Sequence, residues 1–125
     1  GNDKLTALPV IEIVPKNEFF DYEAKYSESA CEEIVPARIS HNLTKQIQNM
    51  AKVAFKALNC KGFGRIDMII RDQKVYIIEM NTIPGLTSNS LLPKAAKAAD
   101  ISFSQLLDTI IKLAASKIKS YDNYH

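Results

Sequence analysis

The chain has 125 residues, 46% of them apolar and 24% charged, with a net charge of +2. This is the balance of an ordinary globular domain, large enough to bury about two-thirds of its unfolded surface. It excludes a disordered polyelectrolyte and a strongly basic nucleic-acid surface, and no run approaches the ~20 apolar residues of a membrane helix.

Leu8 to Pro15 reads as a strand with prolines at its ends, where they are tolerated. Lys16-Asn17-Glu18 is a turn, and Phe19 to Tyr26 begins as a strand before becoming polar. Ser27 to Glu33 has no clear period and reads as loop; Glu33 to Ala37 is a short strand candidate. Cys31 and Cys60 lack Cys-x-x-Cys spacing and read as reduced thiols, so a cytoplasmic protein is the expectation. Ser40 is placed to cap a helix running to about Asn59, with Leu43, Ile47, Met50, Ala51, Ala54 and Leu58 as its apolar stripe.

Two adjacent strands follow, Gly64 to Ile70 and Val75 to Asn81. Side chains alternate along a strand, so Arg65, Asp67 and Ile69 share one face, and Val75, Ile77, Glu79 and Asn81 lie together on the second. A hairpin centred on Gln73 sets Asp67 opposite Glu79 and Arg65 opposite Asn81. Like charges facing one another across a ladder are destabilising. Two carboxylates so placed need a cation between them, and Asp, Glu and Asn oxygens are what a hard divalent metal takes.

Pro84-Gly85 marks a tight turn in which glycine supplies a positive φ. Ser90 caps a short helix through Ala99. Ser102-Phe103-Ser104-Gln105 matches a capping box opening a last helix, with Leu106, Leu107, Ile110, Ile111, Ala114 and Ile118 inward. Residues 120–125 read as a frayed tail, leaving 1–119 as a single unit. The order of strands, helix, hairpin and two helices predicts an α+β fold, an antiparallel β-sheet with flanking helices. The chain opens Gly1-Asn2-Asp3-Lys4 without a Met, and an excised piece of a longer protein is the expectation.

Three segments together, Asp21-Tyr22-Glu23-Ala24-Lys25-Tyr26, Cys60 to Asp67, and Glu79-Met80-Asn81-Thr82-Ile83-Pro84-Gly85-Leu86-Thr87-Ser88-Asn89-Ser90-Leu91, closely resemble the D-alanine–D-alanine ligase family of the ATP-grasp superfamily. The likeness runs over essentially the whole chain and implies the C-terminal half of the ATP-grasp fold. It implies ATP-dependent joining of two D-alanines through a D-alanyl phosphate, for peptidoglycan synthesis. The substrate domain and the preceding lobe of such an enzyme would lie outside this segment, so the segment alone is expected to be inactive. The full-length protein would be a homodimer, with D-alanine, ATP and the remainder of its own chain as partners, and neither nucleic acid nor membrane among them.

The resemblance assigns Asp67, Glu79 and Asn81 as ligands of two magnesium ions, with Mn²⁺ an alternative. Arg65 would steady the acyl phosphate and oxyanion, or simply pair with Asp67 or Glu79. Gly85 would offer a backbone N–H to the same oxyanion, or be an ordinary type II turn glycine. Ser90 and Leu91 would hold the carboxylate of the second D-alanine; by sequence alone Ser90 is first a helix cap. Lys25 would reach the ATP phosphates and Tyr26 would help close a lid, an arrangement that favours D-alanine as second substrate over D-lactate. No role is assigned to His41 or His125. Two other readings stand beside this one: a non-catalytic metal- or nucleotide-binding module, and another ATP-grasp carboxylate–amine ligase.

Overall fold

The computed structural model describes residues 4–15 and 31–122, with side chains through Ser116. The strand expected over 19–26, together with Lys25 and Tyr26, lies outside the described residues. Among the described residues, two antiparallel two-stranded sheets and three helices follow one another along the chain. Strands β1 (Glu12–Pro15) and β2 (Cys31–Ile34) form the first sheet, with Glu12 opposite Ile34 and Pro15 opposite Cys31. Both differ from expectation. Leu8 to Ile11 is not strand, and β2 ends before Pro36 and begins inside the expected loop. Arg38 clasps Glu12 with two guanidinium bonds, at 2.8 and 3.2 Å, and with its backbone N–H at 3.0 Å.

Helix α1 (His41–Ala57) starts as its sequence dictates, with the Ser40 hydroxyl accepting from Leu43 N–H at 3.1 Å. Its end is a Schellman motif: Asn59 takes a left-handed φ of 54°, Cys60 N–H donates to Phe55 O and Asn59 N–H to Lys56 O. The buried face is Leu43, Ile47 and Phe55. Leu58, expected inward, lies beyond the last turn and is 62% exposed. Gln48 Nε2 donates to Leu8 O at 3.0 Å and ties the helix to the segment before β1.

Strands β3 (Arg65–Arg71) and β4 (Lys74–Asn81) form the second sheet. They join through a two-residue turn, with Asp72 at φ 50° and Gln73 at φ 64° and Arg71 opposite Lys74. Positive φ at both central residues is the type I′ geometry, whose twist matches that of the flanking strands. The turn is therefore not centred on Gln73 as expected. Left alone, it would pair Asp67 with Ile78 and leave Glu79 on the opposite face. A β-bulge restores the register: Met68 pairs with Ile77, Ile78 is the extra residue, and Asp67 pairs with Glu79.

The bulge also sorts the faces. Val75 and Ile77 join Ile66, Met68, Ile70 and Met80 on one side, rather than lying with Glu79 and Asn81 as expected. Helix α1 packs against this side. Met50, Val53 and Ala54 line a groove with Ile77, and Phe55 and the Met80 sulfur both crowd Gly64.

Helix α2 (Leu91–Ala98) and helix α3 (Phe103–Asp122) complete the chain; α3 runs past the expected end near residue 119. A second Schellman motif joins them, with Asp100 at φ 60° and Ile101 N–H donating to Ala96 O at 2.9 Å. The Ser102–Gln105 capping box is made in both directions, at 3.1 and 2.8 Å. Leu92, Ala96 and Leu106 form the core here, and Leu8, Phe63, Leu86, Ile101 and Ile110 pack on it. Each buried leucine contributes roughly 2 kcal/mol. Ile111 and Ala114, expected inward, are exposed; Ile118 is beyond the described side chains. An ion pair of 2.6 Å between Lys94 and Glu33 ties α2 to β2.

Two outcomes follow for stability. Gln73 carries a side chain in the left-handed region, so Gln73→Gly should raise unfolding stability by about 1 kcal/mol, read from denaturant midpoints. Hydrogen bonds from the Arg38 side chain and backbone hold the Glu12 carboxyl below its ordinary value of 4.5. A lowered folded-state pKa adds stability that is present above 4.5 and lost as pH falls through the folded value. The stability difference between wild type and Glu12→Gln should therefore shrink on acidification below 4.5 and stay constant around neutral pH.

Candidate functional site

Two groups of residues make up the site. The first stands on the β3–β4 hairpin, on the face away from α1. Arg65 is opposite Asn81 and Asp67 is opposite Glu79, as the sequence predicts. Arg65 grips Asp67 with a two-point ion pair, Nε to Oδ1 at 2.8 Å and an Nη to Oδ2 at 3.0 Å. Both side chains are about one-third exposed, at 31% and 35%. Glu79 is exposed, and its carboxylate makes no hydrogen bond or ion pair with any described residue. The single guanidinium therefore neutralises one carboxylate of the pair and leaves the other uncompensated.

Asn81 ends β4. Its Oδ1 accepts from Ile83 N–H at 3.0 Å, an Asx turn that fixes the amide and leaves one lone pair of that oxygen unspent. Two carboxylates and an amide oxygen suit a hard cation that completes its shell with phosphate oxygens and water. No three His, Cys, Asp or Glu side chains converge among the described residues, so this set does not make a closed structural metal site. Beyond the carboxylates on the same face stand Ile69 and Tyr76, cross-strand partners that are 56% and 50% exposed. They make an apolar shelf beside the charged groups.

The second group lies in the loop from Thr82 to Ser90, pinned at Pro84, which is buried, and at Leu86, which packs on the core of α2 and α3. Gly85 sits between them and is exposed. Its φ is not in the left-handed region, where Gly62 is the one glycine among the described residues, so the expected reason for a glycine here is wrong. The actual reason is steric: a Cβ at position 85 would stand 2.8 Å from Ser90 Oγ.

Ser90 occupies the N-cap position of α2, as expected, yet its side chain makes no cap bond. The N–H groups of Leu91 and Leu92 have no backbone partner among the described residues, and Pro93 has none to offer. Gly85 lies four positions after Asn81, so these two residues of the two groups are at most about 14 Å apart. Sequence reasoning missed Thr87, whose hydroxyl meets that of Ser90; its signal was the Thr-x-x-Ser spacing. It also missed the bulge at Ile78, signalled by the Ile77-Ile78 doublet that interrupts alternation.

Comparison with known proteins bears on this geometry. Residues 1–112 match the family model for the D-ala D-ala ligase C-terminus. The chain is 54% identical to the D-alanine–D-alanine ligase of Syntrophobacter fumaroxidans over 116 residues, covering 91% of the chain and 37% of that protein. It is 52% identical to the Desulfotalea psychrophila ligase over 122 residues, covering 95% and 38%. Among solved structures, D-alanine–D-alanine ligase from Bacillus anthracis complexed with ATP matches with a TM-score of 0.75 at 39% identity, over 91% of this chain and 37% of that one. VanG D-Ala:D-Ser ligase from Enterococcus faecalis matches with a TM-score of 0.79 at 42% identity, over 90% and 33%. The chain thus spans little more than a third of the length of the curated relatives it matches. The expected α+β fold, that of the C-terminal part of an ATP-grasp ligase, holds.

The contact between Gly85 and Ser90 is open to a double-mutant cycle. Gly85→Ala should destabilise by about 1 kcal/mol, and most of that cost should vanish in a Ser90→Ala background, because the clashing oxygen is gone. Additive unfolding free energies would show that the close approach does not constrain residue 85.

Proposed function

This chain belongs to the family of D-alanine–D-alanine ligase C-terminal domains, and from that membership we propose that it is the phosphate- and acceptor-binding part of an ATP-dependent D-alanine–D-alanine ligase. The observation that carries the proposal is Glu79, an uncompensated carboxylate held opposite Asp67 and next to Arg65 on one face of the hairpin. In the reaction, a D-alanine carboxylate oxygen attacks the γ-phosphorus of ATP, releasing ADP and forming an acyl phosphate. The amine of a second D-alanine then attacks the acyl carbon, phosphate leaves, and the amine loses its proton.

Asp67, Glu79 and Asn81 are the residues that would hold magnesium, consistent with two bound ions. When bound, magnesium neutralises charge on the transferring phosphoryl oxygens. Arg65 has five N–H donors, of which two are spent on Asp67. The rest of the fork is available to phosphate or to the oxyanion of the tetrahedral intermediate. Gly85, with no side chain to block approach, would offer its backbone N–H to the same oxyanion. Ser90 and the N–H groups of Leu91 and Leu92 would receive the carboxylate of the second D-alanine, since a helix start with free donors suits an anion. The shelf of Ile69 and Tyr76 gives the apolar part of the nucleotide a surface beside its phosphates. Lys25 and Tyr26 keep the roles that family resemblance implies, on the phosphates and in closing the site.

In a full-length protein carrying this segment, Glu79→Gln should lower ATP-dependent D-alanyl-D-alanine formation by at least ~100-fold, because charge neutralisation in the transition state is lost. Dipeptide product and D-alanine-dependent phosphate release are the readouts, and D-serine is tested beside D-alanine as acceptor. Turnover near wild type would sink the assignment. The isolated segment should give no dipeptide, since the other substrate sites lie in the remaining length.

A further inference from the structure

Each of the three helices among the described residues begins at a serine, but the serines behave differently. Ser40 and Ser102 cap α1 and α3 in the ordinary way, each hydroxyl accepting from an N–H three residues on at 3.1 Å. Ser90 has the extended backbone of an N-cap, φ −74° and ψ 158°, and makes no such bond. The residue three positions on is Pro93, which has no N–H to donate. The hydroxyl is instead turned back into the loop. Ser90 Oγ accepts from Thr87 N–H at 3.1 Å and lies 2.7 Å from Thr87 Oγ1. Ser90 N–H donates in turn to Thr87 O at 3.0 Å, so three hydrogen bonds lock the two residues together.

A count of protons shows what this lock does. Each hydroxyl has one O–H and two lone pairs. Thr87 N–H fills one lone pair of Ser90 Oγ, and the two hydroxyls share one proton between them. One O–H of the pair is therefore unspent, at the same helix end as the N–H groups of Leu91 and Leu92, which have no backbone partner among the described residues.

We propose that Thr87 is a positioning residue for the acceptor carboxylate: with Pro93 removing the competing cap, it holds the Ser90 hydroxyl out of the helix and leaves one hydroxyl proton for the ligand. The proposal rests on the reading of Ser90 as a carboxylate-binding group. It predicts a role for Thr87 that depends on its hydroxyl and not on its shape.

The test is steady-state kinetics on a full-length protein carrying this segment. Thr87→Val keeps the branched shape and the backbone N–H but removes the hydroxyl. It should raise KM for the acceptor amino acid about ten-fold while KM for ATP and kcat stay within about two-fold. Thr87→Ser should restore the acceptor KM. Pro93→Ala, which supplies an N–H for Ser90 to cap, should raise the same KM. If Ser90→Ala raises the acceptor KM but Thr87→Val and Pro93→Ala leave it unchanged, Thr87 has no positioning role and the reading of Ser90 survives. If Ser90→Ala has no effect on that KM, the reading of Ser90 fails and the proposal with it. A loss in Thr87→Val that Thr87→Ser does not rescue, or that falls equally on ATP, would make Thr87 merely structural and overturn the proposal.

Discussion

Two carboxylates face each other across the β3–β4 ladder, and only one of them has a cation. Asp67 and Glu79 are directly opposed, and Arg65 spends its planar fork on Asp67 alone. In a sheet selected for stability such a pair is a liability. Its persistence here makes sense if positive charge arrives with the ligand. The hairpin must then keep both acids on the open face while its other face stays apolar enough to meet α1. A two-residue turn with unbroken pairing cannot do both, because it would send Glu79 to the face of Ile66 and Met68. The single extra residue at Ile78 resolves the conflict, and the division between a helix-facing side and an open side that carries the acids depends on it.

The second half of the site is held by a different means. The loop after Asn81 has no ladder to support it. It is pinned by an Asx turn at its start, by Pro84 and Leu86 in its middle, and by the hydroxyl lock between Thr87 and Ser90 at its end. Gly85 remains exposed between two anchored neighbours, which leaves its N–H accessible on a backbone that is not free to move far. The anchoring cluster of Leu92, Ala96 and Leu106 belongs to α2 and α3. The terminal helices thus bear on the site through the loop they immobilise.

Much of this was legible before the structure. The Ser40 cap and the Ser102–Gln105 box are local patterns whose partners lie three residues away, so tertiary context had little chance to alter them. The opposed pairs Arg65–Asn81 and Asp67–Glu79 were read correctly, although through a turn of the wrong length. The error in the turn and the missing bulge cancelled, because each shifts the register by one residue in opposite directions. Helix faces were read less well at their ends. Leu58 and Ile111 fit the periodicity but are left exposed by the described elements, whereas Phe55 is buried beside the sheet.

By itself, the sequence singled out the candidate groups: an arginine, two acids and an amide at strand spacing, then the Pro-Gly and Ser of the loop whose string marks the family. Those assignments depend on residue type and short separations, which the chain carries locally. Only the tertiary structure decided how Ser90 is used and why residue 85 is a glycine. The Ser90 oxygen could have capped its helix, and Gly85 could have been a left-handed turn. Which of these occurs depends on where side chains from different positions meet in space, and the packing of the loop on α2 and α3 settles that.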